Sequence, residues 1–311
     1  MKILVTCPPM LGMKEQFLPI LEKYGVEVFC PDVVQTLSEE ELIQLVPGFD
    51  GWIIGDDPAT RAVFESGKIG KLKAAVKWGI GVDNVDFQAC DDLDIPITNT
   101  PNMFGAEVAD IGVGYLIALA RETFYIDREI RKGNWPKNRG ISLRGKKVGL
   151  IGYGDIGRSA ASRLVALGMN VLVYDPGVIS IEEEGVNLGL WPNGVEDCDF
   201  LFFTCSLNKK NYHMLDAEVL GQCKKGIRVV NVARGPLIDE QALCNALKSG
   251  SVHSAALDVF EVEPLPSESY LREHPLCIFG SHNSSNTTDA VAKTNEVAIG
   301  KLMEFLGRDL I

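Results

Sequence analysis

A glycine-rich turn in the middle of the chain, Gly152-Tyr153-Gly154-Asp155-Ile156-Gly157, constrains the fold more than any other feature. It follows the apolar run 147–151, opens a helical stretch at 158–167 and precedes a second apolar run that ends at Asp175. The order strand, tight turn, helix, strand and acid is that of a βαβ unit that binds a dinucleotide. The sequence therefore predicts a Rossmann-type unit at this place.

The residues of this turn have separate predicted tasks. Gly152 permits the tight turn, Gly154 lets the backbone approach a pyrophosphate, and Gly157 lets the helix pack against the strand. The unpaired N–H groups at the start of the helix, near Asp155 and Ile156, face the phosphates. The alternative is a glycine turn in an α/β protein that binds no nucleotide.

The acid at the end of the second apolar run indicates which dinucleotide is bound. Asp175 stands about 20 residues after the turn, where such an acid accepts hydrogen bonds from the ribose hydroxyls. Its negative charge also repels a 2′-phosphate. The sequence therefore favours NAD(H) over NADP(H) as the cofactor.

Length and charge limit the classes of function. A chain of 311 residues suffices for two domains with large cores. A formal charge of −12 disfavours nucleic acids and anionic membranes as partners. Residues 1–8 indicate a strand entering a loop and not a secretion signal, and the longest apolar helix candidate, 111–120, is too short to cross a bilayer. We therefore expect a cytoplasmic protein.

The cysteines also indicate a cytoplasmic protein. All eight are scattered singly, without a CxxC pair and without a His/Cys group at the spacing of zinc ligands. This usage is typical of reduced thiols in the cytosol. We expect no disulfide and no metal.

Short apolar runs alternate with helical stretches along the whole chain, which predicts an α/β fold with two doubly wound parallel sheets. The pair Ser38 and Glu41 forms a capping-box pattern at the start of one helix. The polar stretch 131–140 is predicted to be a loop. Strands are predicted at 3–5, 27–29, 51–54, 74–77 and 97–98 in the first sheet and, about six in number, at 147–151, 171–174, 200–203, 227–230, 254–257 and 277–279 in the second.

Three groups suited to one reaction follow predicted strands of the second sheet. Arg234 follows the strand at 227–230, the acid-rich stretch 258–263 follows the strand at 254–257, and His282 follows the strand at 277–279. Ligands of such sheets bind at the carboxyl ends of the strands. A guanidinium can hold a carboxylate in a two-pronged grip, and an imidazole beside a carboxylate can transfer a proton. This combination can reduce a 2-keto acid next to a nicotinamide.

At these motifs the chain resembles the D-isomer-specific 2-hydroxyacid dehydrogenase family, and more closely its phosphoglycerate-dehydrogenase-like branch. The motifs that carry the resemblance are 148–158, 231–239 and 255–266. The resemblance implies that Arg234 binds the substrate, that His282 is the acid/base and that Glu263 is its partner. It further implies a cofactor contact for Arg158 and for Asp258, and a substrate loop that includes Lys77, Trp78, Gly79 and Ile80.

The resemblance also implies how the domains are arranged. A Rossmann-type NAD-binding domain, residues 100–286, is inserted into a flavodoxin-like substrate-binding domain made of residues 1–99 and 287–311. Related enzymes form homodimers through the cofactor domain, using the helix after Pro101 and the loop that bears Trp135. We therefore expect a homodimer, although the small residues of that helix also suit packing within one chain.

Several positions depart from the family pattern. Ser281 stands before His282 where proline is usual, which leaves the shape of that loop open. The stretch 55–58, Gly-Asp-Asp-Pro, lacks the phosphate-binding arginine typical of phosphoglycerate-specific members. Lys77 or Lys137 could hold a second anionic group instead. A lysine is a point charge, so it would grip a phosphate less specifically than arginine.

Alternatives remain open at single residues. Arg234 could be a structural ion-pair partner, and Lys77 could be a structural lysine. Trp78 is better explained as a wall residue than as a catalyst. Glu263 competes with Glu261 and Asp258 for the role beside the histidine.

The function expected from these features is a reversible hydride transfer between NAD(H) and a small 2-keto acid or D-2-hydroxy acid, with or without a phosphate. One alternative is the dehydrogenation of another small anion, such as phosphite or formate. A second alternative is a non-catalytic, NAD-sensing interaction protein on the same fold.

Overall fold

The computed structural model describes residues 1–309 and contains two compact units. The first unit consists of Met1–Met103 and the segment from Asn286 on, and the second consists of Phe104–Ser285. The second unit is thus inserted between the two parts of the first along the chain.

Five parallel strands form the sheet of the first unit. They are β1 (Lys2–Val5), β2 (Glu27–Phe29), β3 (Gly51–Ile54), β4 (Ala74–Lys77) and β5 (Ile97–Asn99). The strand order is β2-β1-β3-β4-β5, with all neighbouring pairs parallel. This is the flavodoxin-like order of a doubly wound sheet, so the predicted fold class of this unit is confirmed.

The first five helices accompany this sheet. They are α1 (Pro8–Leu11), α2 (Lys14–Glu22), α3 (Glu39–Leu45), α4 (Arg61–Ile69) and α5 (Phe87–Asp92). The capping box at α3 is confirmed, because the Glu41 N–H donates to Ser38 Oγ at 3.2 Å and the Ser38 N–H donates to Glu41 Oε2 at 2.8 Å. One face of the sheet forms a core with the fully buried Leu4, Trp52 and Phe64.

Seven parallel strands form the sheet of the second unit. They are β6 (Lys147–Ile151), β7 (Asn170–Tyr174), β8 (Val186–Leu188), β9 (Phe200–Phe203), β10 (Ile227–Asn231), β11 (Val252–Leu257) and β12 (Ile278–Phe279). Their order, β12-β11-β10-β9-β6-β7-β8, is the Rossmann order with one further strand at the β12 edge.

The predicted count of six strands in this sheet is wrong because β8 was missed. This strand has three residues at the sheet edge, and only Val186 is buried. A single buried residue produces no periodic pattern in a sequence, so the strand forms through its pairing with β7 and not through its own apolar content.

The helices of the second unit are α6 (Gly105–Arg121), α7 (Thr123–Arg131), α8 (Asp155–Ala166), α9 (Ala217–Gln222) and α10 (Glu240–Ser249). The chain then returns to the first unit as α11 (Thr288–Phe305). Short 3₁₀ turns lie at Val46–Gly48, Val195–Asp197, Gly235–Leu237 and Tyr270–Glu273. Helix α7 was not predicted, and the predicted loop at 131–140 contains no regular element beyond Arg131.

Helix α6 packs within its own unit against α8 and the sheet. At Gly112, a Cβ atom would lie 2.2 Å from Cζ of Phe202, so a larger residue would overlap this buried ring. All eight cysteines are free thiols. Within residues 1–309, no helix combines the length and the apolar character needed to span a membrane.

Candidate active site

The glycine turn begins with a position that only glycine can occupy. Gly152 has φ +98°, and a Cβ atom there would lie 2.6 Å from the backbone nitrogen of Cys205. The Thr204 hydroxyl donates to the carbonyls of Ile151 and Gly152 at 3.1 and 3.0 Å. These contacts fix the tight turn at the carboxyl end of β6.

Beyond the turn, the start of α8 offers open space. Gly154 precedes the helix and is exposed, and a Cβ atom at this position would meet no other atom within 4 Å. The first turn contains Asp155 and Ile156, whose N–H groups belong to the unpaired set at a helix start. Gly157 is tightly packed, because a Cβ atom there would lie 2.2 Å from the Gly152 carbonyl oxygen. A helix start with free space in front suits a pyrophosphate.

Asp175 follows β7 directly and lies beside the turn. Its Oδ2 accepts the Tyr153 N–H at 2.7 Å, and its Oδ1 accepts the Gly177 N–H at 2.8 Å. The Tyr153 hydroxyl donates to Glu183 Oε2 at 2.9 Å, and burial is the main cause that raises the pKa of Tyr153. The exposed Arg158 guanidinium lies 5.7 Å from the centre of the Tyr153 ring. The turn therefore carries an oriented carboxylate and a cation.

His282 and Glu263, which the sequence places together only through the resemblance, are in contact. His282 Nδ1 lies 2.8 Å from Glu263 Oε2, and both side chains are about four-fifths buried, with 23% and 21% of their areas exposed. The other oxygen, Glu263 Oε1, accepts the Phe260 N–H at 2.9 Å. The carboxylate is thus fixed at one oxygen by the backbone and orients the imidazole with the other.

The loop that carries His282 is held by Asp258. His282 has the left-handed φ of +55°, and its N–H donates to the Asp258 carbonyl at 2.7 Å. The Asp258 carboxylate accepts the N–H groups of Asn283 and Ser284 at 3.2 and 2.9 Å, and also the Ser284 hydroxyl. Asp258 is 2% exposed. Its principal contacts therefore define the shape of the histidine loop, which the departure at Ser281 had left open.

Two further groups close around Asp258. A Cβ atom at Gly280 would lie 1.9 Å from Asp258 Oδ1 and 2.7 Å from the Tyr115 hydroxyl, so glycine is required there. Burial, and then the negative charge of Asp258, raises the pKa of Tyr115 to about 12. The phenol of Tyr115 is therefore neutral beside a buried carboxylate.

Arg234 lies three residues beyond the end of β10. Asn231, the last residue of that strand, donates from Nδ2 to the Arg234 carbonyl at 2.9 Å and accepts the Ala233 N–H at 3.0 Å. Arg234 Nη1 donates to the Ala233 carbonyl at 2.9 Å. Asn231 was not predicted from the sequence as a functional residue, and in the structure it is 1% exposed. The sequence signal that could have identified it is a polar residue at the end of an apolar strand.

The arginine, the acid and the histidine follow strands that are neighbours in the sheet. Strands β10, β11 and β12 are adjacent and parallel, so their carboxyl ends lie at one sheet edge. The segment after β10 also contacts the segment after β11, since a Cβ atom at Gly235 would lie 1.9 Å from the backbone of Phe260. The predicted grouping of these segments at one edge agrees with the topology.

The predicted substrate loop belongs to the first unit. Lys77 is 2% exposed, and its Nζ lies 3.1 Å from Asp56 Oδ1 and donates to the Trp78 carbonyl at 2.9 Å. Trp78 is buried and donates from Nε1 to Asn295 Oδ1 at 2.8 Å. These contacts favour the structural interpretation of both residues.

The second half of this loop is different. Gly79 has φ +103°, and its N–H donates to the Thr100 hydroxyl at 2.8 Å. The side chain of Ile80 is 38% exposed. The loop thus runs from the buried Lys77 side chain to the protein surface at Ile80.

The comparisons with known proteins agree on one family. The family model for the D-isomer specific 2-hydroxyacid dehydrogenase, NAD binding domain, matches residues 113–284. This range includes the glycine turn, Asp175, Arg234 and the Glu263–His282 pair.

Individual relatives cover most of the chain. D-3-phosphoglycerate dehydrogenase of Methanocaldococcus jannaschii is 35% identical over 99% of this chain, which spans 58% of that relative. Hydroxypyruvate reductase of Thermotoga maritima is 32% identical, with 94% of this chain and 95% of the relative covered. A crystal structure of a Thermus thermophilus protein has a TM-score of 0.87 at 29% identity and covers 100% of this chain and 98% of its own.

Proposed function

Since the chain belongs to the D-isomer specific 2-hydroxyacid dehydrogenase family, we propose that it is an NAD-dependent enzyme that interconverts a small 2-keto acid and its D-2-hydroxy acid. The observation that carries the proposal is the 2.8 Å contact between His282 Nδ1 and Glu263 Oε2. This contact lies within the range that matches the NAD-binding domain of the family. An imidazole oriented by a carboxylate is suited to moving a proton to and from a substrate oxygen.

The glycine turn fits the cofactor. The open space at Gly154 admits a pyrophosphate to the start of α8, where Asp155 and Ile156 would offer their N–H groups. Asp175 would accept hydrogen bonds from the adenosine ribose. When bound, NAD(H) donates or accepts the hydride at the substrate carbon.

Two further cofactor contacts are part of the proposal. Arg158, exposed above the Tyr153 ring, would contact the pyrophosphate. Asp258 would contact the nicotinamide carboxamide. A carboxylate has about four acceptor sites, and three hydrogen bonds from the His282 loop occupy the Asp258 carboxylate. Asp258 would therefore serve chiefly as the residue that positions this loop.

Arg234 is proposed to bind the substrate. Its guanidinium can hold the carboxylate through two parallel hydrogen bonds and can polarise the neighbouring carbonyl. Asn231 holds the backbone of Arg234 at 2.9 Å and so limits the positions that the guanidinium can reach.

His282 is proposed to be the acid/base. Because Glu263 contacts Nδ1, Nε2 is proposed as the nitrogen that exchanges a proton with the substrate. During reduction the imidazolium donates a proton to the carbonyl oxygen, and during oxidation the neutral ring accepts the hydroxyl proton. Glu263 stabilises the charged ring and fixes its orientation.

In the first unit, Gly79 and Ile80 are proposed to form the substrate loop, with Lys77 and Trp78 supporting it. The ion pair of Lys77 with Asp56 occupies the cation that the sequence had offered for a phosphate. This ion pair disfavours Lys77 as a phosphate ligand and leaves Lys137 as the other candidate, so short 2-keto acids with and without a phosphate are both proposed as substrates.

The substrate experiment measures NADH consumption with glyoxylate, hydroxypyruvate, pyruvate, longer 2-keto acids and 3-phosphohydroxypyruvate. Phosphite and formate, supplied with NAD⁺, test the alternative anions. Turnover of a 2-keto acid supports the proposal. NADH binding without turnover of any compound would favour the NAD-sensing alternative.

The acid/base is tested by His282→Ala. We expect turnover to fall by at least about 10²-fold while NADH binding is retained, because the imidazole transfers a proton and does not hold the dinucleotide. His253→Ala, which removes a histidine at β11, is the matched control. Unchanged turnover in His282→Ala would refute the assignment.

We also propose a cytoplasmic homodimer. In the segment 105–135 of the second unit, five large apolar side chains are at least 36% exposed: Ile111, Ile117, Phe124, Ile130 and Trp135. Exposed apolar side chains in this number suit a protein surface that becomes covered. The eight free thiols fit a reducing compartment.

A further inference from the structure

A second group of titratable side chains lies in the second unit, apart from the Glu263–His282 pair. His213, Asp239 and Glu261 each place one ligand atom so that all three atoms lie within 4.8 Å of one another. His213 belongs to the loop after β9, Asp239 caps the start of α10, and Glu261 belongs to the loop after β11. All three are partly buried.

The histidine nitrogen of this group has an unusual surrounding. His213 Nε2 is buried and lies 3.0 Å from Glu261 Oε1, yet among residues 1–309 it makes no hydrogen bond. The carboxylate oxygen is therefore close but not aligned with the ring nitrogen. Ligand atoms around one ion are arranged in this way, because each points at the ion and not at its neighbour.

Both carboxylates are already oriented by backbone groups. Asp239 Oδ1 accepts the Ala242 N–H at 2.9 Å, and Glu261 Oε1 accepts the Glu240 N–H at 2.8 Å. Each carboxylate keeps further acceptor sites. Hydrogen bonds of this kind orient the ligands in metal sites.

The histidine is held as firmly. His213 has a left-handed φ of +51°, its N–H donates to the Pro236 carbonyl at 2.8 Å, and its ring stacks on Tyr212 at 4.0 Å between centres. A non-glycine residue keeps such a backbone only where its surroundings impose it.

The local charge is negative and uncompensated. Glu240 lies next to the group, since its Oε2 accepts the Glu261 N–H at 3.1 Å. Within residues 1–309, no lysine or arginine forms a salt bridge with Asp239, Glu240 or Glu261.

We propose that His213, Asp239 and Glu261 bind one divalent zinc-type ion, with water completing its coordination. One imidazole and two carboxylates are a ligand set that zinc accepts. Ligand atoms bound at about 2.1 Å to a tetrahedral ion lie about 3.4 Å apart. The His213 and Glu261 atoms already lie 3.0 Å apart and all three ligand atoms lie within 4.8 Å, so small side-chain rotations suffice to bind the ion. The ion joins three loops and stabilises the fold without taking part in hydride transfer.

The test uses the full-length protein with Zn²⁺ and with Co²⁺. We expect one ion per chain by calorimetry, a higher Tm with Zn²⁺, and the visible absorption of four-coordinate cobalt. A cobalt–thiolate charge-transfer band should be absent, because the site contains no cysteine. His213→Gln, Asp239→Asn and Glu261→Gln should each weaken binding more than about tenfold, while amide oxygens still accept the Ala242 and Glu240 N–H groups.

Matched controls separate this site from other ligands in the chain. His253→Gln and His282→Ala should bind both ions as the unmodified protein does. The proposal would be overturned if no stoichiometric binding is found, if a cobalt–thiolate band appears, or if His213→Gln binds the ions as well as the unmodified protein does. Loss of binding in His282→Ala alone would do so as well, by placing the ion at the acid/base. Because the measurements are of metal binding, their outcome does not depend on the dehydrogenase activity.

Discussion

At the scale of single residues, Glu263 combines two contacts that substitution can separate. One oxygen accepts the Phe260 N–H and the other contacts His282 Nδ1. In Glu263→Gln the side-chain oxygen can still accept the backbone N–H, but the negative charge beside the imidazole is lost. We expect kcat to fall by about 10²-fold or more, whereas the free energy of unfolding changes by less than about 1 kcal/mol.

Steady-state kinetics and urea unfolding measure these two effects. Glu268→Gln, an exposed substitution in the same segment, is the control and should change neither. A variant Glu263→Gln with unchanged kcat would show that the carboxylate charge has no part in proton transfer.

A second prediction concerns pH and stability. Burial, and then the nearby Arg228, lowers the pKa of His253, against an opposing effect of Glu122. In the unfolded chain the His253 imidazole binds a proton below about pH 6.5, whereas in the folded chain it does so only at lower pH. In this interval the unfolded state binds more protons, so the free energy of unfolding decreases as the pH falls.

Urea unfolding of the protein and of His253→Gln, at about pH 7.5 and about pH 5.5, measures this contribution. Burial also lowers the pKa of His274, so a residual dependence should persist in the variant. The decrease on acidification should be smaller in His253→Gln. An identical decrease in both proteins would contradict the prediction.

At the scale of elements, the unit of β6, turn and α8 contains two glycines that the structure distinguishes. A Cβ atom at Gly157 would overlap the Gly152 carbonyl at 2.2 Å, whereas one at Gly154 would meet no atom within 4 Å. We expect Gly157→Ala to lower the free energy of unfolding by about 1–3 kcal/mol. Gly154→Ala should leave stability almost unchanged and weaken NADH binding, because its methyl group occupies the space proposed for the pyrophosphate.

Thermal unfolding and NADH fluorescence titration distinguish the two variants, and each serves as the other's control. Gly154→Ala with unaltered NADH affinity would show that the dinucleotide does not approach this glycine. A stable Gly157→Ala would show that the helix can shift away from the strand at little cost.

At the scale of the whole molecule, the homodimer gives the clearest prediction. Trp135 is 75% exposed, and the Lys137 ammonium lies 5.3 Å from the centre of its ring. Trp135→Glu places a charge on the proposed contact surface, where burial without a partner is costly. We expect dissociation to monomers, or an increase of the dimer Kd by at least about tenfold.

Sedimentation velocity over a range of concentrations measures the association. Ile179→Glu, at a side chain that is 96% exposed in another loop of the same unit, is the control and should leave the mass unchanged. A monomeric unmodified protein would contradict the proposed dimer directly.

Much of the fold follows from local patterns. The strand β6, the glycine turn and Asp175 lie within residues 147–175, where β6 pairs with the next strand β7 and Asp175 accepts the Tyr153 N–H. Alternation of apolar runs and helices predicts parallel sheets, because the crossover connection imposes that arrangement. Strand β8 escaped prediction, since pairing with β7 and not its own composition makes it a strand.

The sequence by itself thus determined the fold class and the NAD-type turn, because periodicity and motif spacing are local properties. It offered Arg234 and His282 as candidates at strand ends, whereas the choice of Glu263 came from the family resemblance. Only the tertiary structure decided which distant groups meet. In the structure, Glu263 contacts His282, Asp258 accepts hydrogen bonds from the histidine loop, and Lys77 forms an ion pair with Asp56. His213 and two carboxylates from three loops also lie close together. The physical reason is that a side chain's partners depend on the packing of the strands and loops that carry it, and chain spacing does not record that packing.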